Sequence, residues 1–177
     1  DVAQFLMDIA GDFDDVKIID VGGGFGVTER PGREALDLCE VEANLSRVKS
    51  GRKFSLWAEP GRFIVADAGV LLAVFTQIKS KNGHNYIGVD AGMNQLIRPS
   101  LYGSHHHIVN LSRMDEPYGI VADIVGPICE SGDVLGRARM VARPEDKDVF
   151  LIATAGAYGR AMASHYNLRQ PAAEVCI

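Results

Sequence analysis

The stretch Val16-Lys17-Ile18-Ile19-Asp20-Val21, followed at once by Gly22-Gly23-Gly24-Phe25-Gly26, limits what this chain can fold into more than any other. A short, almost unbroken apolar run is the pattern of a strand covered on both faces, as in parallel sheets. Parallel neighbours need a crossover between them, and one follows. Ala35, Leu38, Leu45 and Val48 recur with charges between them, which predicts a helix over about 33–50, ended by Gly51. Phe54–Ala58 reads as the next strand and Glu59-Pro60-Gly61-Arg62 as a polar turn at its end. Val2, Phe5, Leu6 and Ile9 predict a helix over 2–10, closed by Gly11. This βαβ rhythm implies a parallel sheet or a (β/α) barrel. Both would set the glycine loop and the polar turn at the C-terminal ends of adjacent strands, where such folds carry their sites.

After about residue 70 the rhythm changes. Val70–Ile78, Tyr86–Asp90, His107–Leu111, Gly119–Val125, Val134–Val141 and Val149–Ala153 all read as strands, separated by Gly, Asn and Pro. The only later helical pattern is Ala157–His165. The expectation is therefore α/β plus β: the end of an α/β domain over 1–72, then an antiparallel β domain over 73–177.

Totals exclude some functions. At 177 residues, 47% hydrophobic and 23% charged, the composition is that of an ordinary globular chain. A net charge of −5 and the lack of a basic tract argue against nucleic-acid binding. No apolar run is long enough to span a bilayer, and the first residues do not form a signal peptide. Cys39, Cys129 and Cys176 fit neither a zinc pattern nor a disulfide framework, so a reducing cytoplasm is expected.

Several motifs carry chemistry. Gly22, Gly23 and Gly24 can present backbone N–H groups to a phosphate, or form a merely flexible loop. No Gly-Lys-Ser/Thr follows, and the third glycine of a dinucleotide fingerprint is missing. In Glu59-Pro60-Gly61-Arg62, Gly61 and Arg62 suit an anion and Glu59 a protonated ring, though many such turns are only turns. Arg98 and Tyr102, four apart, could clamp a carboxylate; separately they would be a surface cation and a core aromatic. His105-His106-His107 is no metal site, because neighbours on a strand point to opposite faces; a polar strand edge is expected. Cys129-Glu130 stands in a loop between Gly126-Pro127 and Gly132-Asp133. A thiol is protonated near neutral pH and can donate a proton, or the cysteine can be buried and inert. Cys39 and Cys176 lack such company and read as structural. Tyr158, between Gly156 and Gly159, could bond an anion or stack on a ring, or simply pack.

Taken in order, these motifs resemble the alanine-racemase-like, fold-type III decarboxylases that use pyridoxal 5'-phosphate. The carrying residues are Asp20–Gly26, Glu59–Arg62, Met93-Asn94 with Leu96–Pro99 and Leu101–Gly103, Cys129–Asp133, and Gly156–Gly159 with Met162, Ser164, Tyr166 and Asn167. Nearest is the branch that decarboxylates meso-2,6-diaminopimelate to lysine and CO2. The resemblance implies the end of a TIM-type barrel followed by a C-terminal β domain. It implies that Gly22, Gly23, Gly24, Pro60, Gly61 and Arg62 hold the cofactor phosphate and that Glu59 pairs with the pyridine nitrogen. Arg62, Arg98 and Tyr102 would bind the substrate's distal carboxylate, Glu130 its distal ammonium, and Tyr158 both cofactor and substrate. Cys129 would protonate the α-carbon, reaching into a neighbouring subunit's site in a homodimer. The family's cofactor-binding lysine has no counterpart among Lys17, Lys49, Lys53, Lys79, Lys81 and Lys147. The sequence thus reads as the C-terminal portion of such an enzyme, expected to be inactive alone. Alternatives are a sister decarboxylase of ornithine, lysine, arginine or carboxynorspermidine, and a non-catalytic dimerisation module that binds a phosphate ligand.

Overall fold

The computed structural model describes residues 2–177, which divide into two compact units: one over residues 2–28 and 33–64, the other over 29–32 and 65–177.

In the first unit, helix α1 (Val2–Ala10), strand β1 (Ile18–Asp20), helix α2 (Leu38–Lys49) and strand β2 (Ser55–Trp57) follow the expected order. Strands β1 and β2 pair in parallel, with Ile19 opposite Leu56. Helix α2 starts later than the apolar pattern suggested because Asp37 caps it, its carboxylate accepting from the Cys39 and Glu40 N–H groups. Met7, Ala10 and Ile19 form the core, with Leu6, Val48, Phe54 and Leu56 packed on it. The strands are less covered than their composition implied: Ile18 is 47% and Trp57 59% exposed. Alternate side chains point to opposite faces, and within this unit only one face of the pair is roofed.

Helix α3 (Gly61–Val65) follows β2 in the chain. In the second unit a six-stranded sheet follows, built from β3 (Leu71–Lys81), β4 (His84–Val89), β5 (Ile108–Asn110), β6 (Ile120–Val125), β7 (Val134–Val141) and β8 (Val149–Ile152), in the order β5-β8-β3-β4-β6-β7. A short helix α4 (Arg98–Tyr102) lies between β4 and β5. Strands β3 and β4 form a hairpin closed by Asn82 and Gly83, both at positive φ, the requirement of a two-residue turn that keeps the strand twist. The end strands β5 and β7 touch, so the sheet curls towards closure. Ile87, Leu96, Ile124, Leu135, Phe150 and Ile152 fill it.

The sheet is mixed and not antiparallel throughout, which corrects the sequence expectation. Strands β4 and β6 pair in parallel, with Ile87 opposite Ile124. The physical reason is the connection between them: about thirty residues containing α4 and β5 allow the crossover that a parallel pair requires. The helix expected over 157–165 is also absent, with only a 3-10 turn at Arg160–Met162. Backbone donors there are committed elsewhere: Ala155 N–H to Gly69 O, Gly156 N–H to Ala66 O and Ser164 N–H to Asn94 O. Tyr158 adopts a left-handed φ of 62°, which no α-helix continues through.

One polar cluster braces the β8 side. Asp148 Oδ2 accepts from Asn110 Nδ2 (2.8 Å), Arg113 Nε (2.7 Å) and the Glu145 N–H (2.9 Å). Burial would raise the Asp148 carboxyl, but these donors outweigh it and hold the group below its ordinary 3.8. A carboxyl depressed in the folded state stabilises the fold above its unfolded value, and that stability is lost as pH falls through the folded value. Acid denaturation followed by circular dichroism should therefore show Asp148→Asn less stable than wild type near neutrality, with the gap closing below pH ~4.

Candidate functional site

The first unit brings two of the sequence motifs side by side. Because β1 and β2 run parallel, the glycine loop and the Glu59–Arg62 turn emerge at the same end. Backbone bonds tie them together. Val21 N–H donates to Trp57 O and Glu59 N–H to Gly22 O, each at 2.9 Å. The Asp20 carboxylate takes the Gly22 N–H at 2.8 Å and turns the chain sharply away from the strand. Gly22 and Gly24 have φ of 73° and 84°, open to glycine and costly for other residues. Gly23 is needed for a different reason: a Cβ there would sit 2.8 Å from the Glu59 carbonyl oxygen. Nothing lies within 4 Å of the Cβ positions of Gly22, Gly24 and Gly26, so the loop leaves open space beside its backbone. Phe25 and Phe63 pack at 6.2 Å between ring centroids and hold the loop against the residue after Arg62. The loop and turn together leave glycine backbone open to an approaching group, an arrangement that suits an anion.

The second unit gathers three more of the expected residues. Helix α4 starts with Arg98-Pro99 and ends at Gly103 in a left-handed cap, whose N–H returns to Pro99 O. This turn sets Arg98 beside Tyr102, with the guanidinium carbon 5.6 Å from the ring centroid. The Tyr158 ring faces Arg98 at 5.5 Å. The guanidinium thus lies against two aromatic faces, a favourable electrostatic arrangement. It donates to Ser104 Oγ at 3.2 Å. Tyr158 reaches this place with a left-handed backbone and with Gly156 packed against Val65 O, where a Cβ would sit 2.0 Å away.

Cys129 and Glu130 lie exposed in the loop between β6 and β7. The buried reading of Cys129 therefore does not hold. Its sulfur accepts from Asn167 Nδ2 at 3.2 Å. Among the described residues, no hydrogen bond, ion pair or ring contact joins Cys129 or Glu130 to Arg98, Tyr102 or Tyr158. Cys39 and Cys176 are exposed as well and fill no core, contrary to their structural reading. The polar edge expected at the three histidines also fails at its centre. His106 is buried, with Nδ1 donating to Ala153 O at 2.9 Å, and burial lowers its pKa.

The residue that organises the Cys129 loop is Asp133, quoted in the sequence motif but assigned no role there. Its carboxylate accepts from the Met93 N–H and the Ile128 N–H, both at 2.6 Å. It therefore pins the loop to the segment that leads into Arg98. Gly92 and Gly126 make room: a Cβ on either would lie 2.6 or 2.4 Å from an Asp133 oxygen. Ser100 Oγ–H bonds the Gly132 carbonyl and adds a second tie between α4 and the loop. Asn167 was likewise quoted in the sequence motif with no role assigned; it lies in a stretch that breaks into turns at positive φ.

Comparison with known proteins now bears on this geometry. Residues 6–156 match the family model described as the C-terminal sheet domain of pyridoxal-dependent decarboxylases. The chain belongs to this family. Among curated decarboxylases it is similar to the diaminopimelate decarboxylase of Aquifex aeolicus, 40% identical over 163 residues, covering 92% of this chain and 39% of that protein. It is also similar to the diaminopimelate decarboxylase of Methanothermobacter thermautotrophicus, 41% identical over 188 residues, covering 98% and 43%. The chain thus spans about two fifths of the length of the decarboxylases it matches. A solved diaminopimelate decarboxylase from Helicobacter pylori in complex with L-lysine superposes with a TM-score of 0.86 at 34% identity, over 96% of this chain and 42% of that one. A lysine/ornithine decarboxylase from Vibrio vulnificus shares the fold at 22% identity, with a TM-score of 0.80.

Asp133→Ala should strand two backbone donors at roughly 1–3 kcal/mol each. Denaturant unfolding of the full-length protein should show that loss, and Cys129 should become more accessible to a bulky maleimide as its loop loosens.

Proposed function

We propose that this chain forms part of a pyridoxal-phosphate-dependent decarboxylase that converts meso-2,6-diaminopimelate to L-lysine and CO2. The observation that carries the reading is the pairing of about 40% identity to diaminopimelate decarboxylases over more than nine tenths of the chain with an Arg98 held ready for a carboxylate. A TIM-type barrel is the natural setting for residues 1–72: β1 and β2 are parallel, joined through a helix, and carry Ile18 and Trp57 exposed. Residues 73–177 then form the C-terminal β domain.

The residues fit the cofactor. The glycine loop beside the Glu59–Arg62 turn has no Cβ in the way at Gly22 or Gly24, as close approach of a phosphate requires. Gly22, Gly23, Gly24, Pro60, Gly61 and Arg62 would hold the phosphate, and Glu59 the protonated pyridine nitrogen. The chemistry supplied by bound pyridoxal phosphate is an electron sink for the pair released when a carboxylate departs as CO2.

The chain's own residues do the rest. Arg98 and Tyr102 bind the distal carboxylate and orient the substrate so that the other carboxylate is the one lost. Stacking between Tyr102 and Tyr158 fixes the guanidinium plane, so little freedom is lost on binding. Glu130 takes the distal ammonium. Cys129 gives its thiol proton to the carbon that has lost CO2, and Asn167 fixes the direction of the sulfur. Cys129 and Glu130 act in the partner's site of a homodimer, in the cytoplasm.

The test is turnover by the full-length protein supplied with pyridoxal phosphate, following CO2 and lysine. Release of both from meso-diaminopimelate, and neither from L-lysine or L-ornithine, is expected; CO2 from a basic amino acid alone would move the protein to the sister enzymes. Arg98→Ala should raise KM for diaminopimelate at least tenfold, because a buried charge pair would be lost. Cys129→Ala should lower kcat by roughly 10²–10⁴-fold, the usual worth of a positioned acid.

A further inference from the structure

Behind the α4 turn lies a cavity of about 280 Å³ that none of the residues given a cofactor or substrate role lines. Its walls carry Arg30, His105, Arg137 and Arg139, and no carboxylate. Arg137 is answered from outside by Asp123, at 3.5 Å. Arg30 and Arg139 are not: neither has an ion pair among the described residues. Arg139 donates through Nη1 to His105 Nε2. His105 uses its other nitrogen on Glu29 O at 2.9 Å, so Nδ1 carries the hydrogen and the ring is neutral. Burial, then Arg139, press His105 away from protonation, more strongly than its hydrogen bond to the Glu29 carbonyl favours it. Burial, and then Arg30, lower Arg139 as well. Arg139 Nε is buried with no hydrogen-bond partner. Gly136 makes space for it, since a Cβ there would lie 2.5 Å from that nitrogen.

Two like charges drawn together, one with an orphaned buried donor, are costly unless an anion joins them. We propose that this cavity is a second anion site, taking a phosphate-class dianion (inorganic phosphate or the phosphate of a monoester) between Arg30 and Arg139. Two unanswered guanidiniums match two negative charges, and each offers a planar fork to a pair of phosphate oxygens. Ser104, on the rim, can donate its hydroxyl while its oxygen accepts from Arg98.

The experiment uses the full-length protein saturated with pyridoxal phosphate, so that added phosphate cannot enter the cofactor site. Inorganic phosphate, phenyl phosphate and malonate are titrated by calorimetry in a chloride buffer, against wild type, Arg30→Ala and Arg139→Gln. Saturable phosphate binding is expected, weakened at least tenfold in each variant, with the cofactor absorbance band unchanged. Tighter binding of phenyl phosphate than of phosphate would assign the monoester; exclusion of phenyl phosphate would assign the inorganic ion. No saturable binding, binding indifferent to both variants, or malonate binding as tightly as phosphate would overturn the proposal. So would dissociation of a wild-type oligomer by both variants with no phosphate binding, since a second copy's carboxylate would then fill the cavity. If Arg139→Gln fails to fold, the exposed Arg30→Ala carries the test.

Discussion

One carboxylate, that of Asp133, ties the loop between β6 and β7 to the segment that leads into α4. It takes backbone N–H groups from two segments forty and five residues away, Met93 and Ile128. Without it, the loop bearing Cys129 and the approach to Arg98 would each keep an unanswered backbone donor, and the Ser100–Gly132 bond would be left to tie them. Burial pushes this carboxyl up while the two amides pull it down, with burial the larger effect. Gly92 and Gly126 exist, in physical terms, to let that carboxylate approach.

The first unit depends on a different constraint, the parallel pairing of β1 with β2. Parallel strands present equivalent ends together, so two loops far apart in sequence become neighbours. The glycines between them serve unlike purposes. Gly22 and Gly24 supply backbone conformations that other residues resist, whereas Gly23 supplies the absence of a side chain against Glu59 O. The Arg98 group uses a third device: a guanidinium kept flat by two aromatic faces rather than by a carboxylate.

Much of this was legible in the chain itself. Apolar spacing located both helices of the first unit and the strands of the second, because burial demands a period of 3.6 or 2 wherever an element has one wet face. Legibility failed where distant backbone competed for hydrogen bonds. Ala157–His165 has the small, apolar composition of a helix, yet Ala66, Gly69 and Asn94 take partners from this segment and its approach. His106 was read as polar edge because three histidines look hydrophilic, but Ala153 O satisfies one ring nitrogen and lets the ring be buried.

By itself the sequence determined the alternation of elements, the identity of the loops that carry chemistry, and the family, since these rest on local spacing and on motif order. Tertiary structure alone decided that β4 and β6 run parallel, that Tyr158 turns to face Arg98, and that Asp133 gathers the Cys129 loop. Each of these depends on which distant donor meets which acceptor, and no local period encodes that. The charged cavity at Arg30 and Arg139 belongs with them: residues more than a hundred positions apart become a pair of repelling cations only when the chain has folded.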